Sequence, residues 1–195
     1  MCILCDNKDQ VYIPYDVLQS IEKSRNLDED IKYILNTHTS NQTVWRNNDK
    51  RDKILDCFDN IFHKTEYPLK LYHGGEISFE KMIFDIPVNY DYLATSYTEF
   101  IGMKFGRSCP NQKWFMEINV PAGIPIICLD EISYCNQFEH EILLDPRAQF
   151  IIKEKIDNYY LPDIFEYNKP LIRLICDYEK ISDKNIELCN NCHFV

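Results

Sequence analysis

The chain has 195 residues, 45% of them hydrophobic and 13% aromatic, enough for one sizeable buried core, and it carries a net charge of -10. That acidity excludes a general electrostatic partnership with nucleic acid or an anionic lipid surface, because both need clustered Lys and Arg and the one basic run is Lys50-Arg51-Asp52-Lys53. No stretch reaches the apolar length of a membrane span, and the start Met1-Cys2-Ile3-Leu4-Cys5 turns polar at Asp6 before an apolar signal region forms, so a cytoplasmic protein is expected.

Nine cysteines without a secretory signal point to a reducing compartment rather than a disulfide framework. Cys2 and Cys5 form a CxxC at the N-terminus, and Cys189 and Cys192 form another near the C-terminus, followed by His193. Four thiolates in two such pairs have the ligand number and local spacing of a tetrahedral Zn site, with His193 as a reserve ligand. Such a site requires the termini to meet; free terminal thiols are the alternative. Cys57, Cys109, Cys128, Cys135 and Cys176 follow no pairing pattern and read as small buried hydrophobes.

Over residues 15–36 apolar residues recur at Val17, Leu18, Ile21, Ile31, Ile34 and Leu35, which predicts a helix, or a pair broken at the polar segment 24–30. Residues 48–65 predict a second helical stretch, with Ile54, Leu55, Phe58, Ile61 and Phe62 on one stripe. Beyond Pro68 the texture changes to short apolar runs at 69–73, 92–96, 114–120, 125–129, 141–144, 149–156 and 171–178, punctuated by Gly, Pro and Asn. A short helix ending at Gly106 is expected within 97–107. Helices first and many short strands afterwards predict an α+β fold with a mixed or mostly antiparallel sheet. The expected organisation is a single domain over 1–195, helical over 1–66 and β-rich over 67–180, with Trp45 and Trp114 in the core.

Two carboxylates stand two residues apart in Phe138-Glu139-His140-Glu141-Ile142-Leu143-Leu144. In a strand, residues i and i+2 share a face, so Glu139 and Glu141 would point together and His140 away. Such crowding costs stability unless the pair stabilises a positive centre. His38, His63 and His140 have no partner pattern that favours catalysis.

Taken in order, Leu71-Tyr72-His73-Gly74-Gly75, Tyr92-Leu93-Ala94-Thr95-Ser96 and Glu139-His140-Glu141 resemble the signature of the mono-ADP-ribosyltransferases of the bacterial-toxin type. In that family an Arg stands on a first strand, Ser-Thr-Ser on a second and Glu-x-Glu on a third. Met116 to Gly123 resembles the strand and Pro-x-Gly turn before the catalytic loop, and Glu141 to Arg147 resembles its exit. The chain departs from the pattern twice: His73 replaces the Arg, and Ala94 replaces the first Ser. His-Gly at this point also resembles the diphtheria-toxin and poly-ADP-ribose-polymerase branch, where the His bonds the adenosine ribose.

The resemblance implies an ADP-ribosyltransferase-like core of two packed sheets with N-terminal packing helices, and transfer of ADP-ribose from NAD+ to a protein side chain. It implies Glu141 as the carboxylate that stabilises the oxocarbenium ion, and Glu139 as the group that orients or deprotonates the nucleophile, with Glu here going with arginine as acceptor. For NAD+ it implies His73, Gly74 as close-approach backbone, and Thr95 or Ser96 in place of the missing serine. Phe105 and Arg107 stand nearest to the family's aromatic and cationic contacts, and Arg107 would supply the phosphate charge that imidazole lacks. The loop 130–138 would recognise the protein substrate through Tyr134 or Phe138. The alternative is an inactive member of the fold kept as an NAD- or protein-binding module, motivated by His73 and Ala94.

Overall fold

The computed structural model describes residues 13–40, 48–60, 63–74, 88–89, 94–108, 114–130, 140–145, 149–159 and 171–179. The first predicted helix is a broken pair, α1 (Tyr15–Arg25) and α2 (Glu29–Ser40). Asp28 makes the break by accepting the backbone N–H of Asp30 at 2.8 Å, the bond of an N-capping carboxylate. The helix α3 (Asn48–Asn60) stops short of the expected residue 65. His63–Lys64 instead form a strand, β1, paired with β6 (Pro125–Cys128). A buried carboxylate fixes this exchange: Asp16 of α1 meets His63 Nε2 at 2.6 Å and accepts the backbone N–H of Glu66 at 2.7 Å and of Tyr67 at 3.2 Å. Local helical propensity loses to that long-range contact.

The remaining strands are β2 (Leu69–Gly74), β3 (Val88–Asn89), β4 (Ala94–Ser96), β5 (Trp114–Val120), β7 (Glu141–Leu144), β8 (Gln149–Tyr159) and β9 (Leu171–Glu179). The nine described strands join in one hydrogen-bonded order, β1-β6-β7-β4-β2-β5-β9-β8-β3, antiparallel except for β5 and β9. The α+β class is as expected, but the two packed sheets are one continuous order. Its narrowest join is between β2 and β4, where Tyr72 and Ser96 are the paired residues.

One face carries Leu69, Leu71, Trp114, Met116, Ile118, Ile126, Ile142, Phe150 and Leu174, covered at Val17 and Ile21 by α1. Ser20 of α1 ties helix to sheet, donating to the Ile126 carbonyl at 3.1 Å and accepting the Cys128 N–H at 2.8 Å. The opposite face has two separate clusters. Leu35, Ile54 and Phe58 of α2 and α3 cover Ile127 and Leu143, whereas Met103 covers Phe115 and Leu171. Cys57, Cys128 and Cys176 are buried, as expected; burial pushes the Cys57 thiol up to about 11 and the Cys176 thiol up to about 12, helped by Asp56 and Asp177. Cys109, Cys135 and Trp45 lie outside the described residues, and Trp114 is fully buried.

Met103 belongs to α4 (Glu99–Ser108), which runs through Gly106 rather than stopping there. The glycine serves contact. A Cβ on Gly106 would lie 2.2 Å from the Trp114 carbonyl oxygen, and one on Gly102 would lie 2.6 Å from Tyr72 Cβ. Across the contact, a Cβ on Gly74 would meet Gly102 O at 2.1 Å. Helix backbone therefore rests directly on strand backbone. Gly74 makes a close backbone approach to α4. An interior helix Gly→Ala change ordinarily stabilises by about 0.5–1 kcal/mol. Gly106→Ala should reverse that sign and cost about 1–3 kcal/mol through overpacking, read as a lower urea midpoint at unchanged slope.

Candidate active site

Glu141 opens β7 and lies opposite Ser96 of β4, which lies opposite Tyr72 of β2. The ladder places Glu141 accurately on its C-terminal side, since Ile142 pairs with Thr95 and with Cys128, and the Leu129 N–H donates to the Glu141 carbonyl at 2.9 Å. Glu141 is 7% exposed, with its Oε2 sealed from solvent. Alternation puts it with Leu143 on the face covered by α2 and α3, in register between that cluster and the one under α4. A carboxylate so desolvated acts strongly on any cation beside it.

Ser96 is the member of the Ala94-Thr95-Ser96 segment that faces Glu141 in register. Its Oγ accepts the Thr98 N–H at 3.1 Å and lies 3.2 Å from Thr98 Oγ1, which turns the chain into α4. Thr95 is committed elsewhere. Its buried hydroxyl donates to the Ile142 carbonyl at 2.7 Å and locks β4 to β7.

His73 and Glu141 are not brought together. In β2, His73 alternates with Leu69 and Leu71 on the face of the large core; it pairs with Met116, and its ring lies 6.0 Å from that of Trp114. Phe105 is 39% exposed on α4, and Arg107 falls in the last turn of that helix, with its side chain outside the described set. Glu139, Tyr134 and Phe138 lie outside the described residues, as do Cys2, Cys5, Cys189, Cys192 and His193. Among the described residues no group of three or more His, Cys, Asp or Glu side chains is placed to hold a metal ion. No described helix is long and apolar enough to cross a membrane.

β7 begins at Glu141, and His140 before it is not in a strand. His140 has φ 50°, in the left-handed region rather than the extended one. That conformation costs a residue with a Cβ about 1–2 kcal/mol, and side chains hold it. His140 Nδ1 lies 2.7 Å from the Tyr97 hydroxyl and 3.3 Å from Asp130 Oδ2, and the two rings are 4.8 Å apart. Tyr97 donates to Asp130 Oδ2 at 3.2 Å, and the Glu141 N–H donates to Asp130 Oδ1 at 3.0 Å. Burial, reinforced by the Asp130 charge, pushes the Tyr97 phenol well above its ordinary range, so it stays a hydroxyl donor. None of this was visible in spacing, because Tyr97 and His140 are 43 residues apart.

A second polar group lies on the Tyr72 row. Glu117, opposite Tyr72, is 2% exposed and takes Lys70 Nζ at 2.6 Å on Oε1 and Arg173 Nη2 on Oε2. Arg173 also lies over the Tyr159 ring at 4.6 Å, and the Tyr159 hydroxyl donates to Glu99 at 2.7 Å. Burial, then the Glu99 and Glu117 charges, push the Tyr72 phenol up to about 12.

No family model matches the chain, and no curated protein matches it by sequence. Solved structures do match its fold. Plx2a, an ADP-ribosyltransferase toxin from Paenibacillus larvae, is 18% identical with a TM-score of 0.59, covering 85% of this chain and 94% of that one. An ADP-ribosyltransferase from Clostridium botulinum is 14% identical with a TM-score of 0.61, covering 90% of this chain and 100% of that one. BECa, an ADP-ribosylating toxin of C. perfringens solved with NADH, is 12% identical with a TM-score of 0.61, covering 85% of this chain and 47% of that one. The chain has the ADP-ribosyltransferase fold, the architecture that its ordered motifs resemble.

Proposed function

We propose that the chain is an NAD+-dependent mono-ADP-ribosyltransferase that moves ADP-ribose to a protein side chain, with arginine as acceptor. The observation that carries this reading is the register of Ser96 with a buried Glu141 at the head of β7, in the fold of known ADP-ribosyltransferases. The bond between the nicotinamide nitrogen and the ribose breaks, and nicotinamide leaves with the electron pair. Positive charge then develops at the anomeric carbon, where the Glu141 carboxylate stabilises it. A guanidinium is protonated at neutral pH, and Glu139 removes the proton as nitrogen attacks. BECa, with NADH, supports the choice of dinucleotide.

The placement of His73 on the far face favours a second reading, an inactive module that binds NAD+ or protein without turnover. Incubating the chain with labelled NAD+ and an arginine-containing protein separates them: nicotinamide release with label on protein supports the transferase, and neither supports the module. Within the first reading, Glu139→Gln should cut transfer to arginine by about 100-fold while leaving hydrolysis of NAD+ within a few fold, because Glu139 acts on the acceptor. Equal loss of both would refute that division.

A further inference from the structure

We propose that Asp130 is the positioning residue of this site, acting through Tyr97 and His140 to fix the backbone of Glu141; the inference rests on the transferase reading above. Three elements converge there. Asp130 follows the end of β6, Tyr97 follows Ser96 at the end of β4, and His140 precedes the first residue of β7. The sheet holds Glu141 through Ser96 and through the Leu129 N–H on its carbonyl, but its own N–H turns to a side chain instead of the ladder. Asp130 divides its two oxygens accordingly. Oδ1 takes the Glu141 amide, and Oδ2 takes Tyr97.

The arrangement that leaves no donor idle has His140 Nδ1–H donating to the Tyr97 oxygen at 2.7 Å, and the Tyr97 hydroxyl donating to Asp130 Oδ2 at 3.2 Å. This chain of bonds, with the tilted contact of the Tyr97 and His140 rings, holds His140 at φ 50°. The backbone orientation at His140, next to Glu141, is thereby set. Strand pairing aligns residues along a sheet, but it does not orient the first residue after a reversal; a side chain that grips that residue's amide does.

The test compares Asp130→Ala, Asp130→Asn and Tyr97→Phe in the full chain, by NAD+ hydrolysis and by NMR amide exchange. Asp130→Ala should lower kcat for NAD+ hydrolysis by about 30- to 100-fold with KM for NAD+ within about twofold, since the carboxylate is misplaced rather than the dinucleotide site lost. Asp130→Asn keeps an oxygen for the Glu141 amide and should recover most of kcat; Tyr97→Phe should fall between. Independently of turnover, the Glu141 amide should exchange about tenfold or more faster in Asp130→Ala, with Ile142 and Leu143 unchanged. An Asp130→Ala protein with wild-type kcat, or with a Glu141 amide as slow as before, overturns the assignment. Failure of the wild type itself to split NAD+ overturns the transferase reading instead, and the exchange result then decides the clamp alone.

Discussion

Glu141→Gln should lower both NAD+ hydrolysis and ADP-ribose transfer by about two orders of magnitude or more, with the melting temperature close to that of the wild type. The amide keeps the size of the carboxylate while exchanging one acceptor oxygen for a donor NH2, so the packing of a residue only 7% exposed is largely preserved. What it removes is the negative charge. That charge has little to do before the glycosidic bond stretches, and much once the ribose carries positive charge in a site from which water is excluded, so the loss should fall on kcat and leave KM for NAD+ nearly constant. The thermal comparison guards against a trivial result, because Glu141 also opens β7 opposite Ser96. A folded variant with undiminished turnover would remove Glu141 from the chemistry and return the chain to the binding-module reading.

A carboxylate on one strand end and a serine on its neighbour were legible in the sequence through the order of the motifs and their resemblance, since β7 reads Glu-Ile-Leu-Leu and β4 Ala-Thr-Ser, neither with an apolar alternation. Ile142 and Leu144 face the large core, and Leu143 faces the helices; the positions between them are thereby assigned. Alternation fails where the chain leaves the sheet. The shared face expected of Glu139 and Glu141 assumed a strand through His140, which has φ 50° and lies outside β7; Glu139 itself lies outside the described residues. Gly74 is legible only in part. A glycine beside a candidate ligand contact invites the thought of close approach, and close approach is what it provides, but to Gly102 and Gly106 of a helix. The sequence shows the need for a missing Cβ and not the identity of the neighbour. The strands β1 and β3, two residues each, carry no period at all and exist only through their partners. Likewise Asp16 with His63, and Asp130 with Tyr97 and His140, are contacts between residues distant in the chain and individually ordinary in composition.

Glu117 gives the largest expected effect on stability. Glu117→Ala should destabilise the fold by about 3 kcal/mol at neutral pH, at the lower end of what breaking a buried ion pair costs. The effect comes chiefly from Arg173, whose side chain is 18% exposed and would be left without its carboxylate; Lys70, 59% exposed, recovers most of its hydration and contributes little. Burial by itself would push the Glu117 carboxyl up, but hydrogen bonds from Lys70 and Arg173, with their charges, outweigh it and hold the group below its ordinary value. A carboxyl depressed in the folded state contributes stability that is present above the unfolded value of about 4.3 and is lost as pH falls through the folded value. The wild-type advantage over Glu117→Gln should therefore be full at pH 7 and shrink progressively below about pH 4. Urea unfolding of both proteins across that range measures it. A gap that stays constant into acid would mean that Glu117 stabilises through its shape and hydrogen bonds alone, and that its charge, held between β2 and β9 by Lys70 and Arg173, contributes nothing to the fold.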